Sequence, residues 1–322
     1  MMSDFQIKTQ KFNDGFYRDK FNHLDNSWEI RNIEKRGARE KLILKHSSRE
    51  AWYLFKKPNY GKTEIYTEIF NSILANELGI NHTQYFPVIL KEQEGVLCKS
   101  FLDEYKEEPF GLMEMKTLLC RHSQQPDLKE KKGRDDDTLK EHNIQNIFNI
   151  IKAAGYKDSI LKDFFQMIGF DALIGHGDRH WCNYGFLTSK INKENIKFAP
   201  IYDTASGYLT EIRNSKLKEY LVKLDNDDWY QNQARKKGLC KITVPEDPRS
   251  THFELLKFIL ANADMKNYKS AVSLAFYRYN NTIIQGILDE FFPDLEDIRK
   301  QVILKMLDKR AQIGVKIIDR SK

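Results

Sequence analysis

Two hydrophobic rhythms divide the chain. Over the first hundred residues, apolar side chains come in short runs: WEIRNI (28–33), EKLILKH (40–46), AWYLFKK (51–57), YFPVIL (85–90) and GVLCKSFL (95–102). The turn-like pieces KRGAR, HSSRE and KEQEG separate them. Short runs of β-branched and aromatic residues bounded by polar turns predict strands. One helical stretch interrupts, KTEIYTEIFNSILANEL (62–78), in which Ile65, Ile69 and Ile73 repeat every fourth residue beside Phe70 and Leu74. Thr63 is placed to cap its start and Gly79 its end.

Beyond about residue 110 the period lengthens to that of helices. NIQNIFNIIKAA (143–154) stops at Gly155, and DSILKDFFQMIGFDALI (158–174) stops at Gly175. HFELLKFILANA, the segment from about 268 to 290, and LEDIRKQVILKMLDKRAQIGV continue the helical pattern. CKSFLDEYKEEPFGL lies between the two regimes as a hinge, and the charged run KEKKGRDDD (129–137) reads as an exposed loop. The pattern predicts a small β-rich part with one helix followed by a larger helical part, a pairing that commonly leaves a ligand cleft between them.

Composition narrows the classes. With 41% hydrophobic residues in 322, including 20 Phe and 15 Tyr, the chain can build a substantial core, which argues against wholesale disorder. A surplus of +6 over 52 basic and 46 acidic residues suits an anion binder, and equally a solvated surface with no partner. The four cysteines (98, 120, 182, 240) form no CxxC pair, which fits a reduced fold. The first residues lack the apolar core of a signal peptide, and no run of 18 apolar residues predicts a membrane span.

The densest chemistry is HGDRHWCN (176–183). As a strand it would put His176, Asp178, His180 and Cys182 on one face, all able to bind zinc. They would spread over about 20 Å, too far to surround one ion unless the backbone bends sharply. A polar loop that only satisfies its own hydrogen bonds is the second reading. The third is phosphoryl transfer, which needs a carboxylate for the acceptor hydroxyl and a neutral oxygen for Mg²⁺ nearby. Asp178 and Asn183 supply both from one turn. A second carboxylate, Asp203, follows the apolar run Phe198–Tyr202 in FAPIYDTASG, where a strand is expected to end among small residues.

The DRHxxN form of this loop resembles the catalytic loop of the protein-kinase-like superfamily, in the branch of HipA-like bacterial kinases and phosphatidylinositol-kinase-like enzymes. Asp203 resembles the metal aspartate of that superfamily, here in Asp-Thr-Ala instead of Asp-Phe-Gly, as fits the HipA-like branch. RGAREK (36–41) is similar to the phosphate loop of the HipA-like family, YLFKKP (53–58) to its lysine strand, and EIFNSILANELGI (68–80) to its Glu-led helix. The matches run in family order over residues 36–207.

The resemblance to the HipA-like serine/threonine kinases implies an α+β, bilobal, protein-kinase-like fold. It implies one domain over 1–322, with an N-lobe at 1–102, a hinge at 103–112 and a C-lobe at 113–322. It implies transfer of the ATP γ-phosphate, with Mg²⁺, to Ser or Thr of a protein substrate, including the chain itself. Asp178 then takes the catalytic position, Gly37, Lys56 and Glu68 contact or support ATP, and Asn183 and Asp203 hold the metal. Lys57 is the local rival of Lys56. His176, Arg179 and His180 are expected to order the loop, with a role for His180 at the transferred phosphate left open, and Cys182 is expected to pack. Ser47 and Ser48, in the turn after the phosphate loop, are candidate acceptors. A lipid kinase and a non-catalytic nucleotide or nucleic-acid binding module are the alternatives, although nucleic acid is not the expected partner. An intracellular type of fold is expected, with secretion into host cells by a route that needs no signal peptide left open.

Overall fold

A computed structural model describes residues 19–34, 41–59, 61–104, 109–122, 141–207, 214–226, 229–230 and 240–321. Gly37, most of RGAREK and the charged run at 129–137 lie outside these residues.

The β-rich part is one six-stranded sheet of β1 (Asn22–Leu24), β2 (Trp28–Glu34), β3 (Lys41–His46), β4 (Trp52–Lys56), β5 (Tyr85–Leu90) and β6 (Gln93–Lys99). Its spatial order is β1-β5-β6-β4-β3-β2, antiparallel except for the parallel β1–β5 pair. β1 and β2 are consecutive in the chain yet occupy opposite edges. The three residues between them can span only about 13 Å, so the sheet must curl until its edges nearly meet. The inside of the curl is filled by Trp28, Leu42, Leu44, Tyr53, Phe55, Phe86, Val88, Leu90 and Leu97. Two-residue alternation then turns Leu54 and Lys56 of β4 outward, away from this cluster. The β5–β6 turn is Lys91-Glu92, both left-handed (φ 47 and 67), so β6 starts at Gln93, two residues before the expected run.

Helix α1 (Lys62–Glu77) covers the outer face of the sheet with Ile65, Ile69, Phe70, Ile73 and Leu74. Its start differs from expectation. Gly61 is the N-cap, and Thr63 lies inside the first turn, where its carbonyl accepts the Thr67 hydroxyl at 2.7 Å. Gly79 ends the helix as expected, at φ 65.

The helical part is built on α4 (Asp158–Ile174), which is apolar on nearly all sides and buried on nearly all of them. Around it lie α2 (Met115–His122), α3 (Ile144–Ala153), α5 (Leu217–Lys223), α6 (His252–Ala261), α7 (Lys269–Arg278), α8 (Asn281–Phe291) and α9 (Asp297–Arg320). The apolar segment near 268–290 divides into α7 and α8 because Asn280 turns extended and caps α8, its Oδ1 accepting from Thr282 N at 2.8 Å. A three-stranded antiparallel sheet, β7 (Phe110–Glu114), β8 (Gly185–Ser189) and β9 (Ile196–Phe198), lies among the helices. The strand expected to reach Asp203 ends at Phe198, and beyond it only Ile201 makes a bridge, to His82. None of the described helices is long and apolar enough to cross a membrane.

The two parts are joined through α1. The Phe292 ring lies 5.6 Å from Tyr66 and 6.1 Å from Phe70, and Arg278 donates to Leu78 O at 2.8 Å. The result is an α+β, bilobal, kinase-like fold.

The closest backbone approach in the helical part gives a stability test. A Cβ on Gly169 of α4 would stand 2.1 Å from Val272 O of α7, which is backbone and cannot step aside. Gly169→Ala is expected to destabilise by about 1–3 kcal/mol through overpacking. The urea midpoint should fall with its slope unchanged. Gly111→Ala, whose Cβ would meet only side chains of Lys190 and Thr188 at 3.9 and 4.0 Å, should leave the midpoint in place.

Candidate active site

Gly175 ends α4 in the left-handed conformation (φ 70), and the chain leaves the helix directly into HGDRHWCN. The segment is a succession of turns and no strand. His180 N and the Asn183 side-chain Nδ2 both donate to Asp178 O at 2.8 Å, and Asn183 N donates to His180 O at 2.8 Å. The turns are tightened at the far side by α2, whose first two amides, Met115 N and Lys116 N, donate to Tyr184 O and Trp181 O at 3.0 Å. Among the described residues no three His, Cys, Asp or Glu side chains are placed to hold one ion, so the four-ligand cage has no counterpart here. Asp178 is exposed, and Asn183 is buried.

Arg179 fixes the loop from below. Its Nε and Nη2 form a two-pronged pair with the Asp171 carboxylate of α4, both at 2.8 Å. Its Nη1 donates to Asn183 O at 2.7 Å and to Tyr202 O at 2.8 Å. One guanidinium therefore ties α4, the loop and the residue preceding Asp203. Burial alone would raise the Asp171 carboxyl, but Arg179 overrides it and holds the pKa below the usual carboxylate range. Burial likewise opposes the Arg179 charge, and Asp171 restores it.

Behind the loop, His176 donates from Nδ1 to Ser206 O at 2.6 Å, and His252 donates from Nε2 to His176 O at 2.9 Å. Burial keeps both rings neutral, pushing His252 down to about 3. His142 is a third buried ring held at about 3, chiefly by desolvation. It donates to Lys241 O and accepts from the Tyr184 hydroxyl, both at 2.8 Å. His180 accepts from Cys182 N at 3.2 Å and lies within the fields of both Asp178 and Asp203. Burial lowers its pKa, against the pull of those carboxylates. Desolvation pushes the Cys182 thiol up to about 12, where it packs as a neutral group.

The opposite wall carries a lysine at the centre of three oxygens. Lys56 Nζ lies 3.1 Å from Glu68 Oε1, 3.2 Å from Asp203 Oδ1 and 3.2 Å from the Tyr85 hydroxyl. Lys56 is only 4% exposed and Glu68 1%. Desolvation would lower the ammonium pKa, and Asp203 and then Glu68 more than compensate, raising it well above its ordinary value. Lys41, the β3 partner of Lys56 across the sheet, lies 3.8 Å from Asp203 Oδ2. Strand alternation gives the contact to Lys56, while Lys57 follows the end of β4.

Asp203 itself is left-handed (φ 57), and its backbone N donates to the Tyr85 hydroxyl at 3.2 Å. The segment is strapped to the end of α1. Thr83 N donates to Ile201 O at 2.8 Å, Ile201 N to Asn81 O at 3.0 Å and Asn71 Nδ2 to Thr204 O at 2.8 Å.

Lys56, Glu68 and Asp203 are thus in direct contact, and Asp178 and Asn183 share a hydrogen bond. Arg179 links the second group to the chain carrying the first. Gly37 is outside the described residues. The turn with Ser47 and Ser48 is at the far end of β3 from Lys41, about 20 Å away at strand spacing, and so is not beside the lysines that face Asp203. Sequence reasoning missed Asp171, Tyr85 and Lys41 as members of the site. A carboxylate inside the apolar stretch of α4 was the available signal for Asp171, since buried charges are kept only with a partner.

The chain matches the model of the HipA-like C-terminal domain over residues 33–264. A curated relative, the serine/threonine-protein kinase CtkA of Helicobacter pylori (strain J99), is 26% identical over 270 residues, covering 82% of this chain and 75% of the relative. The crystal structure of the H. pylori proinflammatory kinase CtkA superposes with a TM-score of 0.71, at 20% identity, over 93% of this chain and 99% of that one. That likeness is one of fold. With well over half of its length matched by the family model, the chain belongs to the HipA-like C-terminal domain family.

Proposed function

We propose that the chain is an ATP-dependent serine/threonine protein kinase that uses Mg²⁺ and accepts its own hydroxyls among its substrates. The observation that carries this reading is the buried Lys56 held between Glu68 and Asp203, opposite a loop that presents Asp178. Kinship with a serine/threonine-protein kinase supports the same class. The proposed division keeps the N-lobe at 1–102, the hinge at 103–112 and the C-lobe at 113–322.

The proposed roles follow from charge and exposure. Lys56 binds the α- and β-phosphates, and Glu68 keeps it in place. Lys41 adds a second positive charge on the same side. Asp203 and Asn183 offer a carboxylate and an amide oxygen, hard donors of the kind Mg²⁺ takes together with waters and phosphates. The donor set fits, because the Asn183 amide nitrogen is committed to Asp178 O and its oxygen is the end left for a cation. When bound, Mg²⁺ neutralises phosphate charge as it develops in transfer. Asp178, exposed on a rigid loop, orients the acceptor hydroxyl and takes its proton as that oxygen attacks the γ-phosphorus and the bond to the β-phosphate oxygen breaks. Because Ser47 and Ser48 stand far from Lys41, transfer to them passes between molecules.

Autophosphorylation is tested by intact-mass measurement after incubation with MgATP. The expected outcome is a ladder of single phosphoryl increments. If Ser47 or Ser48 is the acceptor, the specific rate should rise with enzyme concentration. Parallel incubation with radiolabelled ATP and both protein and phosphoinositide acceptors should label protein. Label in the lipid alone would make the chain a lipid kinase.

Lys56→Ala should weaken ATP binding and slow transfer by about 10²-fold, the usual magnitude for one lost electrostatic contact. Lys57→Ala should do far less. The reverse ranking would move the phosphate contact one residue along.

The two aspartates should separate by role. Asp178→Asn is expected to keep MgATP binding and lose transfer, because it removes an interaction made chiefly in the transition state. Asp203→Asn should lose both. A ligand at about 100 times its dissociation constant stabilises a fold by about 2.7 kcal/mol, enough to read as a melting shift. That shift should persist in Asp178→Asn and shrink in Asp203→Asn. Wild-type transfer in both variants would end the kinase reading.

A further inference from the structure

Tyr85 has no part in the roles assigned above, yet its phenol stands where they meet. Its oxygen accepts from Lys56 Nζ at 3.2 Å and from Asp203 N at 3.2 Å, which occupies both of its lone pairs. Its ring also faces the ammonium, 4.9 Å from centroid to Nζ. The side chain is held on a rigid base. It is 1% exposed, its strand pairs with β6 through Cys98, and its backbone N reaches Ser72 Oγ of α1 at 3.4 Å.

Resting on the kinase reading, we propose that Tyr85 is the positioning residue that holds Lys56 and the Asp203 backbone still while the Asp203 carboxylate changes partner. The Lys56 ammonium has three hydrogens, and three oxygens surround it: Glu68 Oε1, Tyr85 Oη and Asp203 Oδ1. For Asp203 to serve as a metal ligand and Lys56 to meet phosphate, the contact between the two must open. Glu68 and Tyr85 then remain to keep the ammonium aimed. A neutral hydroxyl suits this place, because a third carboxylate would compete with the phosphates for the same cation.

The backbone contact does a separate task. Asp203 is left-handed, a conformation that non-glycine residues hold only where the surroundings fix it. The phenol accepts its N–H directly, so the carboxylate can turn from Lys56 toward a metal without the main chain relaxing. One oxygen therefore sets the lysine and the metal aspartate in a common frame. Phenylalanine at 85 would keep the ring and its packing and lose both contacts.

The test is Tyr85→Phe, with 3-fluorotyrosine at the same position as a second variant. The fluorinated ring keeps the hydroxyl and weakens its lone pairs, so the fold is not at stake. Rates are measured against Mg²⁺ and against ATP at a temperature where urea melts show every variant folded. Tyr85→Phe should raise the Mg²⁺ concentration for half-maximal rate and the KM for ATP about tenfold, equivalent to about 1.4 kcal/mol. The fluorinated protein should fall between Phe and wild type. A residue that served only packing would lower the urea midpoint and leave both saturation curves unmoved. Wild-type curves for both variants, alongside an inactive Asp203→Asn, would overturn the role of Tyr85 and leave the kinase reading standing. Full activity in Asp203→Asn would overturn the reading itself.

Discussion

A buried guanidinium organises this molecule. Arg179 pairs with Asp171 of the deeply buried helix α4, where neither charge could stand alone. Removing one member of such a pair typically costs about 3–5 kcal/mol, because the other is left charged without water. The fork does more than close a pair. Its Nη1 reaches both Asn183 O and Tyr202 O, and so measures the separation between the HGDRHWCN loop and the segment of Asp203. Because Asp171 stays ionised well below neutral pH and Arg179 stays protonated well above it, the link does not loosen over the physiological range.

A second set of bonds carries that frame across to the β-rich lobe. Asn81 and Thr83, just after α1, exchange backbone bonds with Ile201, and Asn71 of α1 reaches Thr204 O. His82 adds a side-chain link. Its Nδ1 donates to Thr83 O at 2.6 Å, which leaves Nε2 to accept from the Thr204 hydroxyl at 3.2 Å. Glu68 sits on the same helix, so its distance to Asp203 is set by these straps as much as by Lys56. Phe292 and Arg278 fasten the helix from the other side. The helix that supports the lysine is thus anchored to both lobes, and the sheet is packed upon it.

What can be read from sequence here follows the range of the interaction responsible. Helix α4 is legible to the residue, since a continuous apolar run ends at a glycine that takes the left-handed cap. The five strand runs are legible because alternation is local, and HGDRHWCN is legible because its chemistry is compressed into eight residues. The start of α1 misleads, because Thr63 satisfies the local rule for a cap while the chain caps with Gly61. Closure of the sheet is invisible locally, since it arises from pairing β1 with β5, more than sixty residues away. Tyr85 looks like any aromatic strand residue. Its place in the site appears only when β4 and the chain at Asp203 converge on its hydroxyl. Asp203 was expected at a strand end, and in fact follows an irregular stretch with a single bridge, Ile201 to His82, a geometry that no propensity encodes.

Charge balance links this frame to the proposed chemistry. Around Asp203 the two carboxylates, Glu68 and Asp203, face two cations, Lys56 and Lys41. Among the described residues these ion pairs offset one another, and the Lys56–Glu68 pair is almost wholly buried. In the proposed chemistry a nucleotide would bring several negative charges and its metal two positive ones, so these groups would redistribute and not simply add contacts. The pairing most easily surrendered is that of Lys56 with Asp203, because Asp203 retains more exposure than Glu68 and, in the proposed chemistry, would gain a metal in exchange. The pairing with Glu68 is fully desolvated and is the one worth keeping. Burial therefore ranks the contacts of the lysine, and the ranking is the order in which they would be exchanged when phosphate arrives.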